Sequence, residues 1–152
     1  MLEDNLPGYK LVHNFNPKDK VFQFKLSKYD CYRLGEKKCS LETKEGKNIN
    51  TNQYDIHREC DLAYCPALSN SLRQYGIKNE IYSVRVTKNS CGHYSITDGQ
   101  HRLCSASHAN IKLDVYVQEY DGECYICYWK KKSIKFRIKD FLGKNDIFLR
   151  KL

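Results

Sequence analysis

Residues 94–106 read Tyr94-Ser95-Ile96-Thr97-Asp98-Gly99-Gln100-His101-Arg102-Leu103-Cys104-Ser105-Ala106. Aromatic and β-branched residues lead into Asp98-Gly99, a pair that breaks a strand. A helix is predicted to follow from about Gln100 to Asn110, with Leu103, Ala106 and Ala109 inward. The corner concentrates chemistry. Gly99 permits a tight strand-to-helix turn. The backbone N–H groups of the new helix point at whatever sits there, and the helix dipole favours an anion. His101 and Arg102 fall in the first turn, where a cation costs stability unless a phosphate or carboxylate compensates it. Asp98 is placed to hold a metal ion or take a proton beside that anion. The plainer alternative is an ordinary corner in which Asp98 is the helix N-cap and Arg102 is solvated.

Outward from the corner, residues 81–87 read as a strand that turns through 88–92 and returns antiparallel through 93–97. Upstream, Cys65-Pro66 opens a helix with Leu68, Leu72 and Tyr75 on one face and Gly76 at its end. Downstream, Leu113, Val115 and Val117 alternate with Asp114, Tyr116 and Gln118, the pattern of a half-buried strand. Residues 4–16 read as an irregular lead-in, 21–26 as the first strand and 33–55 as a long polar loop. Asp121-Gly122 is a hairpin signal with 124–129 as its returning strand. Ile134, Phe136 and Ile138 then alternate with Lys135, Arg137 and Lys139, predicting a strand apolar on one face and basic on the other, before a short terminal element. The expected fold is a small single α+β domain over 1–152, with a mixed, mostly antiparallel sheet and short helices. Its core is expected at about 18–120, followed by a basic C-terminal strand extension at about 121–152.

The chain has 152 residues, 41% hydrophobic and 29% charged, a composition that is neither disordered nor membrane-embedded. No apolar run approaches the roughly 18 residues of a transmembrane helix. The start is acidic and no apolar stretch follows it, so the expected location is the cytoplasm, where thiols stay reduced. The eight cysteines are then free thiols or metal ligands rather than a disulfide framework. His57, Cys60 and Cys65 with Cys124 and Cys127 can be assembled on paper into a zinc set. On a strand, however, residues three apart face opposite sides, so free, partly buried thiols without stoichiometric zinc are expected. Cys91-Gly92-His93 lies in the hairpin turn as a Cys–His pair with no third orienting group. Most of the twelve tyrosines alternate along strands, which favours packing over base stacking.

The net charge is +8, and its distribution is uneven. From Lys130 to Leu152, nine basic residues face only Asp140 and Asp146, so this tail holds +7 of the total. Such a tail attracts polyanions, nucleic acid or phosphorylated small molecules, and also protects a sheet edge from pairing. Weak, nonspecific DNA binding at low salt is expected from it.

The order of elements from Leu68 to Val117, about a third of the chain, resembles the ParB/sulfiredoxin superfamily. The helix ending LSNSLRQYG, the strand IYSVRV, the strand and turn HYSITDGQHR, the helix RLCSASHAN and the strand KLDVYV follow in that family's sequence, and residues 21–26 fit its first strand more loosely. The resemblance implies a ParB-like N-terminal-domain fold that binds nucleotide phosphates at the corner. Sulfiredoxins place a catalytic Cys immediately before the His-Arg pair, where this chain has Gln100. Partition proteins carry Glu-Arg-Arg and continue into a helix-turn-helix domain, whereas here Gln-His-Arg is present and 35 residues remain after Val117. The Asp-Gly-His-His-Arg box of the free-serine kinases is the closest variant. It implies phosphoryl transfer from ATP or ADP, with CTP a further nucleotide, to a small hydroxyl compound. Gly99, Gln100, His101 and Arg102 would hold the phosphates, and Asp98 would hold Mg²⁺ or orient the acceptor. Catalysis would fall to Asp98, His101 and an upstream carboxylate such as Glu36, with Asp30 and Glu42 as the other candidates. The alternative is a ParB-like DNA-binding protein or nuclease using Lys135, Arg137 and Lys139.

Overall fold

Val84 and Val86, fully buried, alternate with the half-exposed Arg85 and Thr87, and this alternation makes the central strand β3 (Val84–Asn89). The computed structural model describes residues 6–25, 30–51, 61–76 and 84–152. Leu26, His57, Cys60 and residues 81–83 of the expected elements lie outside them. Before β3 come β1 (Lys10–Phe15), β2 (Val21–Lys25), α1 (Tyr32–Glu36), α2 (Lys44–Lys47) and α3 (Tyr64–Tyr75). After it come β4 (Tyr94–Asp98), α4 (Gln100–Ala109), β5 (Leu113–Tyr120), α5 (Tyr125–Lys132), α6 (Ile134–Phe141) and β6 (Ile147–Lys151).

The described strands form one mixed sheet in the order β1-β5-β3-β4-β2-β6. β1/β5, β3/β4 and β2/β6 are antiparallel, and β3/β5 and β2/β4 are parallel. The result is a small single-domain α+β fold. α3 and α4 pack on each other, and their Leu72, Leu103 and Ala106 join Phe22, Phe24, Val84, Val86 and Val115 of the sheet in one core. Leu72 and Leu68 do face inward from α3, whereas Tyr75 is 57% exposed. Gly76 closes α3 at φ 64°, its N–H donating to the Leu72 carbonyl at 3.0 Å. Pro66 sits in the first turn of α3, where its missing N–H costs nothing.

Four expectations are corrected. The lead-in is partly a strand, because Lys10–Phe15 pairs antiparallel with β5 and buries Phe15. The polar loop contains α1 and α2, the latter capped by Thr43, whose Oγ1 accepts from the Gly46 N–H. The terminal element is β6, which pairs with β2 from Val21↔Lys151 to Lys25↔Ile147 and stacks Phe148 on Phe24 at 5.8 Å. The core therefore extends well past residue 120. Finally, 125–132 and 134–141 are helices, not strands. Asp121-Gly122 is not a hairpin turn but leads into α5, and Ser90 N–H donates to the Gly122 carbonyl. Ser133 ends α5 and caps α6, its Oγ accepting from the Phe136 N–H at 3.1 Å. Lys130, Lys131 and Lys132 complement the dipole at the α5 C-terminus. Among the described residues no helix is long and apolar enough to cross a membrane.

Candidate functional site

The corner forms where β4 ends and α4 begins. Gly99 has φ 87°, a left-handed conformation, and a Cβ there would fall 2.8 Å from Val84 Cγ2. Backbone shape and close approach to β3 both demand glycine. The Leu103 N–H donates to the Gly99 carbonyl at 3.0 Å, so Gly99, not Asp98, is the residue at the N-cap position. Asp98 is turned instead to Arg85, its cross-strand partner, and its Oδ2 accepts from Arg85 Nη2 at 3.1 Å. The first N–H groups of α4 have no acceptor within the helix, and the corner residues Gln100, His101 and Arg102 lie at the opening.

A cleft of about 380 Å³ opens at this corner, and Asp98, Gly99, Gln100, His101 and Arg102 all line it. The structure thus brings the whole box together. It adds two residues that sequence reasoning did not pick out, Lys25 from the end of β2 and Tyr64 from the start of α3. Lys25 arrives because β2 runs parallel to β4, with Phe22↔Tyr94 and Gln23↔Ser95 in register. Nothing local to residues 21–25 announces that pairing. His101 is largely buried in the cleft wall, with Tyr64 edge-on at 5.2 Å and Cys65 Sγ 3.6 Å from Nδ1. Burial pushes the Cys65 thiol up to about 12, so it stays neutral.

The expected upstream base is not at the cleft. Asp30 and Glu36 are exposed, and neither lines it. Glu42 pairs with Arg150 and lies 3.8 Å from His108 Nε2. Among the described residues Asp98 is the carboxylate that lines the cleft. Cys31, Cys39, Cys65 and Cys104 surround a separate apolar cavity of about 20 Å³ behind His101. Burial raises the thiols of Cys31, Cys65 and Cys104, which suits packing rather than reactivity.

Lys135, Arg137 and Lys139 do not share a face as a strand would have required. All three are exposed on α6, where Lys135 and Lys139 stand one turn apart and Arg137 projects from the other side.

Cys124 and Cys127 are likewise not split across a strand. Cys124 is the N-cap of α5 and Cys127 follows one turn later on the same side. Their companions are Cys91 and His93 from the β3–β4 turn, not Cys65, which meets His101. The ligand atoms of all four lie within 4.8 Å of one another. His93 Nδ1 is 3.6 Å from Cys91 Sγ, 3.6 Å from Cys124 Sγ and 3.3 Å from Cys127 Sγ. The Cys91 thiol is held below its ordinary value. Burial opposes this, but the N–H groups of Cys124 and His93 and the thiols of Cys124 and Cys127 outweigh it. Cys124 is raised by burial, and Cys127 is pushed up to about 12 by burial and by the thiols of Cys124 and Cys91. The missed signal was Cys-x-His in a turn combined with Cys-x-x-Cys, a spacing that becomes informative once residues 124–127 are seen to open a helix.

A comparison of the chain with family models, curated proteins and solved structures finds no match.

Proposed function

We propose that the chain binds the phosphates of a nucleotide in the corner cleft and transfers a phosphoryl group to a small hydroxyl compound. One observation carries this reading: a single cleft gathers the first turn of α4, Lys25, Arg102 and Asp98. Phosphoryl transfer needs neutralised charge and in-line positioning more than covalent chemistry. Lys25, Arg102 and the α4 N–H groups supply the first. Asp98 is the carboxylate in reach to accept the acceptor's proton, with Arg85 holding its orientation. One carboxylate plus substrate phosphates is also a common way to hold Mg²⁺, so Asp98 fits that ion. ATP or ADP is the favoured nucleotide, with CTP the third to try. The order β3, β4, α4, β5 around the corner supports a ParB/sulfiredoxin-like fold.

The test is a thermal-shift screen with ATP, ADP and CTP, each with and without Mg²⁺, followed by titration of the best binder. Arg102→Ala is expected to weaken binding about tenfold or more, since a charge-assisted contact is worth about 1.5–3 kcal/mol. Asp98→Asn is expected to abolish transfer while nucleotide still binds. Unchanged affinity in a folded Arg102→Ala protein removes the phosphate corner.

A second reading, DNA binding, is favoured by one observation. Tyr125, Tyr128 and Trp129 are exposed on α5, beside the lysines of α5 and α6. Exposed aromatic rings with cations suit a nucleic-acid surface. Affinity or cleavage that persists at physiological salt would support it over the enzyme reading.

A further inference from the structure

We infer that Cys91, His93, Cys124 and Cys127 bind one zinc ion that ties the β3–β4 turn to the start of α5. The inference is independent of the nucleotide reading, because none of the four residues lines the corner cleft.

The ligand distances fit a tetrahedral metal site. With Zn–S near 2.3 Å and Zn–N near 2.0–2.1 Å, a tetrahedral site has S···N edges of about 3.6 Å and S···S edges of about 3.8 Å. The three edges from His93 Nδ1 are 3.6, 3.6 and 3.3 Å. The sulfurs also fall within 4.8 Å of one another. Hydrogen bonding alone gives no reason for one imidazole nitrogen to sit at nearly equal distance from three thiols, since that nitrogen has a single donor or acceptor site.

The surroundings are those of a built ligand set. Gly92, at φ 80°, bends the turn so that Cys91 and His93 point the same way, and its N–H donates to the Asn89 carbonyl. Asn89 is buried, and its Nδ2 donates to the His93 carbonyl at 2.9 Å and to Ser95 Oγ at 2.9 Å. That holds the His93 backbone in place from behind, as outer partners do around metal ligands. The Cys124 N–H donates to Cys91 Sγ at 3.4 Å, a contact that favours the thiolate. Three sulfurs and one imidazole select zinc among the common divalent ions. Four protein ligands leave no open position, so the ion is structural rather than catalytic.

Its role follows from where it sits. Cys91 and Cys124 are 33 residues apart. α5 buries Ile126 just after its Cys124 cap, and α6 has no buried residue. The metal would fasten the start of the helical pair to the β3–β4 turn.

The full chain, untagged and purified under reducing conditions with zinc present, is expected to contain one zinc per chain by elemental analysis. Replacement by cobalt(II) is expected to give the absorption of a tetrahedral thiolate site. Cys127→Ser and His93→Ala should lose the stoichiometric metal, whereas His93→Cys, which keeps four ligands, and Cys31→Ser, outside the cluster, should retain it. If the losing variants do not fold, the cobalt spectrum of the wild-type chain and retention in His93→Cys decide the matter alone. A zinc-free wild-type protein overturns the inference, as does metal loss from Cys31→Ser equal to that from Cys127→Ser. A Cys124–Cys127 disulfide in metal-free protein would overturn it in favour of a redox dithiol.

Discussion

Gly99 and Gly143 both adopt left-handed backbone, at φ 87° and 63°, but only Gly99 is crowded. A methyl group at Gly143 would meet nothing within 4 Å, whereas at Gly99 it would strike Val84. Gly143→Ala is therefore expected to cost about 1–2 kcal/mol, the left-handed penalty alone. Gly99→Ala should cost at least about 2 kcal/mol, because overpacking adds to that penalty. Urea unfolding of the two variants measures the difference, and equal losses would show that the close approach to β3 is unimportant. His108 offers a pH test. Burial holds it below its ordinary value of 6.5, Arg150 and Lys47 act in the same direction, and Glu42 offsets them only in part. The unfolded chain thus takes up the proton first, so His108 disfavours the folded state as pH falls through 6.5. His108→Gln should flatten the fall of Tm between about pH 7.5 and 5.5, around the ordinary imidazole pKa. An unaltered slope would show that His108 is not the group responsible. Asp114 does not confuse this window, since the hydrogen bond with His13, the largest influence, holds it below 3.8 and its contribution is lost only at lower pH.

Among the elements, α5 and α6 show where a local pattern misleads. Ile134, Phe136 and Ile138 satisfy a period of two, yet Ile134 and Ile138 are also one helical turn apart. Five residues do not separate the two periods. Ser133 was the better guide, as a serine placed to cap the helix that follows it. Ser133→Ala should cost about 1 kcal/mol. The helical arrangement also changes the DNA expectation. A duplex lying against α6 meets Lys135 and Lys139 together and Arg137 poorly. The Lys135→Gln/Lys139→Gln pair should lower the salt slope of duplex binding by about 2, and Arg137→Gln should change it little. Equal contributions from all three cations would contradict the helical face.

At the scale of the whole molecule, the sheet is closed at one edge by the last strand. Phe148 of β6 lies in parallel stacking on Phe24, which is itself 1% exposed. Removing that ring should expose part of the main core rather than loosen a separate tail. Phe148→Ala is expected to lower global stability by about 2–4 kcal/mol, with circular dichroism and tryptophan fluorescence reporting one coincident transition. A variant that retains wild-type stability would mean that β6 is an appendage. Trp129, the chain's single tryptophan, lies in α5 and reports the helical pair, whereas circular dichroism reports the whole fold.

The sequence by itself determined the elements whose signals are local and agree with one another. The α3 helix with its Gly76 stop, the β3–β4 hairpin, the Asp98-Gly99 break, α4 and the alternating β5 were all legible, and so was the box from Asp98 to Arg102 that lines the cleft. Tertiary structure alone decided what joins that box and what the cysteines meet. Lys25 reaches the corner through a parallel pairing of strands about seventy residues apart, and Cys91 and His93 find Cys124 and Cys127 across more than thirty. The upstream carboxylates, near in sequence to the first strand, do not line the cleft: Glu42 pairs with Arg150, and Asp30 and Glu36 sit on the surface. The physical reason is that periodicity and capping depend on neighbours within a turn or two. Strand partners and side-chain clusters depend instead on which edges and faces the assembled core leaves available.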